Sequence, residues 1–263
     1  MYEFIYERPT TVVQAAAFLS KGGQALAGGQ TLLAAMKQRM LSPDVLVDLQ
    51  DIIELKGFAL TSNQICIGAM ATHQEVANNA FVLKHLPGLA ELAGGIGDKQ
   101  IRAMGTIGGS VANNDPSACY PSAVLALGAN IVTNRRTIIA DDFFLGLYST
   151  ALEVGELITS INFPIAKRSA YAKYKQAASR FALVGVFVAQ NGSGVRVAIT
   201  GSANGVFRNI ELEAALNREF SAAAVANISI DAADLNSDLH ASAAYRAHMI
   251  KVQTQRAVTQ ALR

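Results

Sequence analysis

The sequence predicts an α+β fold, and three stretches carry that prediction. Residues 24–49 alternate a short apolar strand, a helix and a second strand, the order of a small β-α-β unit. Residues 94–109 are rich in glycine and sit between hairpin-like and helical patterns. Residues 171–208 read as successive strands with a tight reversal, and an alanine-rich helical tail follows. Strands followed by helices, rather than strict alternation, argue for an antiparallel sheet with helices attached.

Composition sets the class. Hydrophobic residues make up 51% of the 263 positions and charged residues 16%, the reverse of the balance that disorder requires. The formal net charge is +2 with no dense run of Lys or Arg, so a nucleic-acid partner is not expected. Apolar runs break well short of the ~18–20 positions that a membrane span needs. Met1 to Thr10 carries acids and a proline and does not read as a secretory signal, so a cytoplasmic location is expected. Cys66 and Cys119 form no CxxC, and His73, His85, His240 and His248 form no HxxxH or HExxH. A metal site within the chain is therefore not expected. Both cysteines read as small buried hydrophobes in a reducing compartment.

Along the chain, Thr11 to Leu19 reads as an amphipathic helix opened by a capping box of Thr11 and Gln14. Gln24 to Ala27 reads as a strand, Thr31 to Met40 as a helix ended by Ser42-Pro43, and Val45 to Leu49 as a strand. Phe58 to Leu60 and Ile65 to Gly68 form a hairpin, and Thr72 with Glu75 makes a second capping box. Pro87 opens a helix that reaches Ala93. Pro121 to Leu127 is helical, Ile131 to Thr133 and Thr137 to Ile139 are strands, and Leu157 to Phe163 is a strand ended by Pro164. Lys167, Arg168 and Ser169 read as a linker. Strands follow at Tyr171–Gln176, Leu183–Ala189, Val195–Thr200 and Val206–Arg208, with Asn191-Gly192 reversing the chain between the middle two. From Ile210 onward the pattern is helical, with one long helix over Ala241–Leu262. His73 reads as a solvated residue at a helix start.

Two short loops point to chemistry. One is Ala27-Gly28-Gly29-Gln30-Thr31, and the other runs through Thr106-Ile107-Gly108-Gly109-Ser110. A diphosphate needs several backbone N–H donors converging at close range, which a Cβ would obstruct. A helix beginning near Thr31 would add N–H groups and a favourable dipole. Either loop alone reads more readily as an ordinary turn, and only the two together bring the readings level. No GxGxxG occurs, so a Rossmann dinucleotide site is not supported, and no GxxxxGK[ST] occurs either.

The strings around these loops are more specific. "LAGGQTLLAAMKQRMLSPDVLVDL" (Leu26–Leu49) and "GDKQIRAMGTIGGSVANNDPSACYPSAVLALGA" (Gly97–Ala129) resemble the two FAD motifs of flavoprotein subunits in the xanthine dehydrogenase and carbon monoxide dehydrogenase family. "GELITSINFP" (Gly155–Pro164) and "YAKYKQ" (Tyr171–Gln176) continue the match in order, and it weakens after about residue 205.

The resemblance implies a vanillyl-alcohol-oxidase (PCMH)-type FAD-binding domain over 1–167, with subdomains of about 1–55 and 56–167. A C-terminal domain of antiparallel sheet and helices would occupy 168–263. It implies noncovalent FAD with its diphosphate held by Ala27, Gly28, Gly29, Gln30, Thr31, Thr106, Ile107, Gly108, Gly109 and Ser110. It implies a backbone contact at Ile158, Lys175 near the flavin, and Phe181 where relatives carry a tyrosine against the isoalloxazine. Cys119 stands where family members commonly have an Asp toward the adenosine half, and a thiol is a poor acceptor. Arg102 matches the family's "QIR", either as a structural residue or as one facing the cofactor.

By the same resemblance the chain is an electron-transfer subunit. Molybdopterin would reside in a large partner subunit and [2Fe–2S] centres in a small one, in a dimer of heterotrimers. The flavin would receive electrons from those centres and hand them to an external acceptor. No general base or nucleophile is nominated. A stand-alone flavin oxidoreductase of the same fold would need its own substrate pocket with a placed acid or base. A flavin-free scaffold is the other alternative.

Overall fold

A computed structural model describes all of residues 1–263. The chain builds three sheets, each with its own apolar core, plus a small two-stranded ribbon. The first unit comprises β1 (Ile5–Glu7), α1 (Val12–Leu19), β2 (Gln24–Leu26), α2 (Leu32–Lys37) and β3 (Val45–Asp48). Its strands are parallel in the order β1-β3-β2, so the expected β-α-β unit is present with an additional edge strand. The Tyr6 hydroxyl on β1 donates to the buried Asp48 carboxylate on β3 and ties that edge down. Thr11 caps α1, but the Gln14 side chain accepts from Thr10 N–H rather than from Thr11, so the first capping box is only half formed.

The second unit begins with the hairpin β4 (Phe58–Leu60) and β5 (Gln64–Gly68). Then come α3 (His73–Asn78), α4 (Ala80–His85), α5 (Pro87–Gly94), α6 (Lys99–Met104), α7 (Ile107–Asn113) and α8 (Tyr120–Leu127). Next are β6 (Asn130–Thr133), β7 (Thr137–Ile139), α9 (Ala140–Phe143), the ribbon β8 (Phe144–Gly146) with β9 (Ser149–Thr150), and β10 (Ile158–Pro164). The sheet order β4-β5-β10-β6-β7 is antiparallel throughout. Both halves of the Thr72–Glu75 capping box are formed. The glycine-rich stretch contains two short helices, α6 and α7, that its composition concealed. Each has a side-chain cap, from Asp98 and Thr106 respectively.

The third unit is a four-stranded antiparallel sheet of β11 (Arg168–Lys175), β12 (Ala182–Asn191), β13 (Gly194–Thr200) and β14 (Phe207–Arg208), followed by α10 (Ile210–Arg218) and α11 (Ala243–Ala261). The expected linker is shorter than its sequence suggested. Arg168 and Ser169 already pair with Gln190 and Ala189 of β12. The continuous helical tail is also interrupted, because residues 219–242 hold one short 3-10 turn at Ala223–Val225 and are otherwise irregular. Every residue of α8 is buried, and that helix lies against β12 and β13 as well as the second unit's own core. Fold class is thus α+β, and no helix is long and apolar enough to cross a membrane.

A buried carboxylate holds the turn before β10. Glu156 accepts from the Thr133 hydroxyl at 2.7 Å, from Glu153 N–H at 2.9 Å and from Arg136 Nε at 3.0 Å. Burial pushes its pKa up, but Arg136, the Glu153 N–H and Thr133 outweigh that and hold it at about 2, against an ordinary 4.5. A carboxylate depressed in the folded state stabilises the fold above its unfolded pKa, and that contribution is lost as pH falls through the folded value. Glu156→Gln should lower stability at pH 7 by about 1–3 kcal/mol. Urea melts should show the deficit shrinking from pH 4.5 towards pH 2, and a pH-independent deficit would contradict this account.

Candidate functional site

The first loop emerges from the end of β2 and runs into α2. Backbone pairing stops at Leu26, whose carbonyl accepts from Leu49 N–H. From Gly28 through Leu32 no backbone N–H finds an acceptor within the chain. These are consecutive unsatisfied donors on a half-exposed turn, with Gly29 at φ +67° curling the backbone. The Gln30 side chain folds back to donate to Gly28 O at 2.8 Å. Helix α2 is six residues long, shorter than the Thr31–Met40 reading, and Thr31 makes no side-chain cap. The donors therefore come from the turn itself more than from a helix dipole.

The second loop is laced to the segment after β5. His73 N–H donates to Gly105 O at 2.9 Å, Ile107 N–H to Ala71 O at 3.0 Å and Gly108 N–H to Ala69 O at 2.9 Å. Thr106 lies opposite Thr72 in an antiparallel bridge. The Ile107 side chain is wholly in the core. Ile107 and Gly108, expected as diphosphate contacts, thus already have acceptors for their N–H groups, and Gly108 is packed on Ala69. What this loop leaves accessible is half-buried Gly109 and Ser110, whose N–H groups are accepted by Thr106 Oγ1 and Thr106 O, while the N–H of buried Thr106 has no acceptor in the chain. Thr106 Oγ1 accepts from Gly109 N–H at 3.2 Å and caps α7.

The two loops meet. A methyl group on Gly28 would overlap the Met104 carbonyl oxygen and lie 2.7 Å from Gly105 Cα. One on Gly109 would lie 3.4 Å from Ala27 Cβ. Behind this junction stands His73. A methyl on Gly105 would be 2.5 Å from His73 Nε2. The expectation of a solvated His73 is wrong, since the residue is 5% exposed, with its ring centroid 5.3 Å from that of Tyr120 and its Nδ1 without a partner. Burial, reinforced by the Arg102 charge, lowers its pKa from 6.5 to about 4. It is neutral at physiological pH.

The remaining expected residues lie along β10, β11 and the β11–β12 turn. Ile158 is buried in the main core beside a register shift in β10, so only its backbone could meet a ligand. Cys119 is 6% exposed, and Lys173 Nζ lies 3.5 Å from its Sγ. The thiol is enclosed, as expected of a small buried hydrophobe, and the ammonium is the more accessible group there. Lys173 also donates to Gly95 O at 2.8 Å and Arg180 O at 3.2 Å. Arg180 and Arg102 both donate to Gly97 O, and Arg102 also to Ile96 O. These cations clamp the β11–β12 turn to the segment that leads into α6, and none of them pairs with a carboxylate. Arg102 therefore has a structural role that is visible. Lys175 is exposed at the end of β11 with no hydrogen bond, and Phe181 is 48% exposed on the turn. Phe181 borders a cleft of about 320 Å³ whose other walls include Asp115, Tyr148, Gln176, Asp238 and Arg246.

Sequence reasoning missed His73, Lys173 and Arg180. Lys173 shares a strand face with Lys175, and that alternation was readable. Nothing local to His73 or Arg180 marked their contacts.

Comparison with known proteins fits this arrangement. Residues 2–166 match the family described as the FAD binding domain in molybdopterin dehydrogenase. The carbon monoxide dehydrogenase medium chain of Hydrogenophaga pseudoflava is 34% identical over 98% of this chain and 96% of its own length. The glyceraldehyde dehydrogenase medium chain of Sulfolobus acidocaldarius is 32% identical over 97% of each. Among solved structures, reconstituted CO dehydrogenase from Oligotropha carboxidovorans superposes with a TM-score of 0.92 at 33% identity, covering 99% of this chain and 98% of that one.

The junction gives a direct test. Because the obstacle to a methyl group at position 28 is backbone, the chain cannot move aside cheaply. Gly28→Ala should displace the first loop, lower the melting temperature and sharply reduce bound flavin. Flavin-to-protein ratios and calorimetry would read both effects, and a variant indistinguishable from the parent would count against the junction.

Proposed function

Starting from the fact that the chain belongs to the FAD-binding, medium-subunit family of molybdopterin dehydrogenases, we propose that it is their electron-transfer subunit and that the paired glycine loops hold the FAD diphosphate. The observation that carries this reading is the run of unpaired N–H groups from Gly28 to Leu32 beside the accessible Gly109 and Ser110. Gly28, Gly29 and Leu32 in this run are half-buried, where donors without acceptors are costly unless a ligand accepts from them, and a diphosphate offers the charge and the lone pairs. Side-chain-free Gly28 lets the first loop close on Met104 and Gly105, which keeps these donors beside the second loop.

In this reading Ala27 to Thr31 supply the donors. Thr106, Gly109 and Ser110 close the opposite wall, with Ile107 and Gly108 shaping it from behind. Ile158 would contribute backbone, Cys119 would lie toward the adenosine half with the Lys173 ammonium beside it as a donor, and Lys175 and Phe181 would flank the isoalloxazine. The attachment is noncovalent, because Cys119 and His73 are both enclosed. Bound there, FAD would supply the redox chemistry that links one-electron carriers in a small [2Fe–2S] subunit to an external acceptor. The chain's own residues bind, orient and shield it. The large molybdopterin subunit would oxidise the organic substrate. The assembly would be a dimer of heterotrimers in the cytoplasm, where two unpaired cysteines would remain reduced. The chain divides, on the same reading, at residues 167/168 into FAD-binding and C-terminal parts.

Two measurements bear on this. The isolated chain should take up stoichiometric FAD, and Gly109→Val should take up none, because its side chain would enter the space between the loops. Co-expression with genes for a large and a small subunit should yield a stable complex in which limiting dithionite reduces the clusters and then bleaches the flavin. Full FAD in Gly109→Val, or a solitary monomer under co-expression, would count against the proposal.

A further inference from the structure

The loop junction is backed by one side chain that neither loop contains. His73 opens α3, donates its backbone N–H to Gly105 O, and sets Nε2 against the Gly105 α-carbon. Gly105 in turn is the residue on which Gly28 rests, together with the Met104 carbonyl. First loop, Gly105 and imidazole are therefore stacked in that order. We propose that His73 is the positioning residue of this cleft, its uncharged ring keeping Gly105 seated against Gly28, and that protonation of the ring unseats the loops and releases the cofactor. The inference rests on the reading that these loops hold FAD.

The surroundings explain why a charge there would be disruptive. Arg102 and Lys99 lie on α6, Tyr120 on α8, Glu91 on α5, Lys84 and His85 on α4, and Glu75 on the same helix as His73. Burial and Arg102 are what act on the imidazole, and both disfavour its protonated form. Glu75 is engaged with Thr72 N–H and the Thr72 hydroxyl at 2.7 and 2.9 Å. Glu91 is exposed. An imidazolium would find no carboxylate and would be held beside a guanidinium that itself donates only to backbone carbonyls. The nearest relief is movement of the ring out from beneath Gly105, and the Gly105–Gly28 contact goes with it.

The sign follows from linkage. With the seated ring titrating at about 4 and the released ring at 6.5, the released form binds the extra proton throughout that interval. Release is favoured as pH falls from 6.5 towards 4. FAD dissociation from the holo chain, followed by the rise in free-flavin fluorescence, should strengthen on the order of tenfold between pH 7.5 and pH 5. His73→Phe keeps a ring of similar shape without a titrating group, so its profile should be nearly flat. An unchanged pH dependence in His73→Phe, or a flat profile in the parent, would overturn the proposal. Failure of the unaltered chain to take up FAD at pH 7.5 would sink the functional reading and this inference with it, an outcome distinct from the other two. Should His73→Phe not fold, hydrogen exchange of the parent holo chain decides instead. After correction for intrinsic rates, protection at residues 27–32 and 104–110 should fall at pH 5 ahead of the rest, and uniform loss would refute the idea.

Discussion

The contact between Gly28 and the Met104–Gly105 peptide is the constraint on which the candidate site depends. It joins two segments far apart in the chain, and no side chain takes part at the point of contact. Each segment is delivered by a different sheet. The parallel strands β1, β3 and β2 fix where the first loop leaves the edge. The backbone pairing of residues 69–73 with 105–108 fixes the second. A backbone-to-backbone approach this close tolerates no Cβ, and it brings unpaired N–H groups to within reach of a single anionic group.

The two loops are not equivalent, although they look alike as strings. The first keeps its N–H groups free and acts as the donor. The second has given its Ile107 and Gly108 donors to the carbonyls of Ala71 and Ala69 respectively and acts chiefly as a wall. This asymmetry has an energetic logic. A loop whose donors are internally satisfied is rigid without a ligand, while one whose donors are unsatisfied gains most from a ligand. A rigid wall facing an eager donor holds the geometry of the cleft and leaves the affinity to one side of it.

Local patterns carried much of the fold. The Thr72–Glu75 box, the β4–β5 hairpin, Pro87 at a helix start and the strands of the third sheet all depend on neighbouring residues, and all were readable. The failures share a different cause. Strand β1 exists because it pairs with residues about forty positions away and has no apolar alternation of its own. Helices α6 and α7 were hidden because tertiary packing and side-chain caps override the low helix propensity of glycine. Arg168 and Ser169 looked like a linker because polar residues on a strand's first turns resemble loop. His73 followed a sound capping pattern, yet whether a helix start faces water or a neighbouring loop is decided by topology. At the site, the glycine loops were legible as strings. Which of their N–H groups remain free was not, because the acceptors lie elsewhere in the chain.

Cys119 sets the charge balance at the edge of the candidate site. A carboxylate at this position would sit against the Lys173 ammonium, which now lies 3.5 Å from the thiol. With a neutral thiol there, the region holds Arg102, Lys173 and Arg180 without acidic partners. Their donors are absorbed by the carbonyls of Gly95, Ile96, Gly97 and the β11–β12 turn, so hydrogen bonding is satisfied while net charge is not. For a ligand carrying a diphosphate, that surplus of positive charge is favourable at longer range than any hydrogen bond. Burial first, and the Arg102 charge second, keep the one histidine within this region neutral.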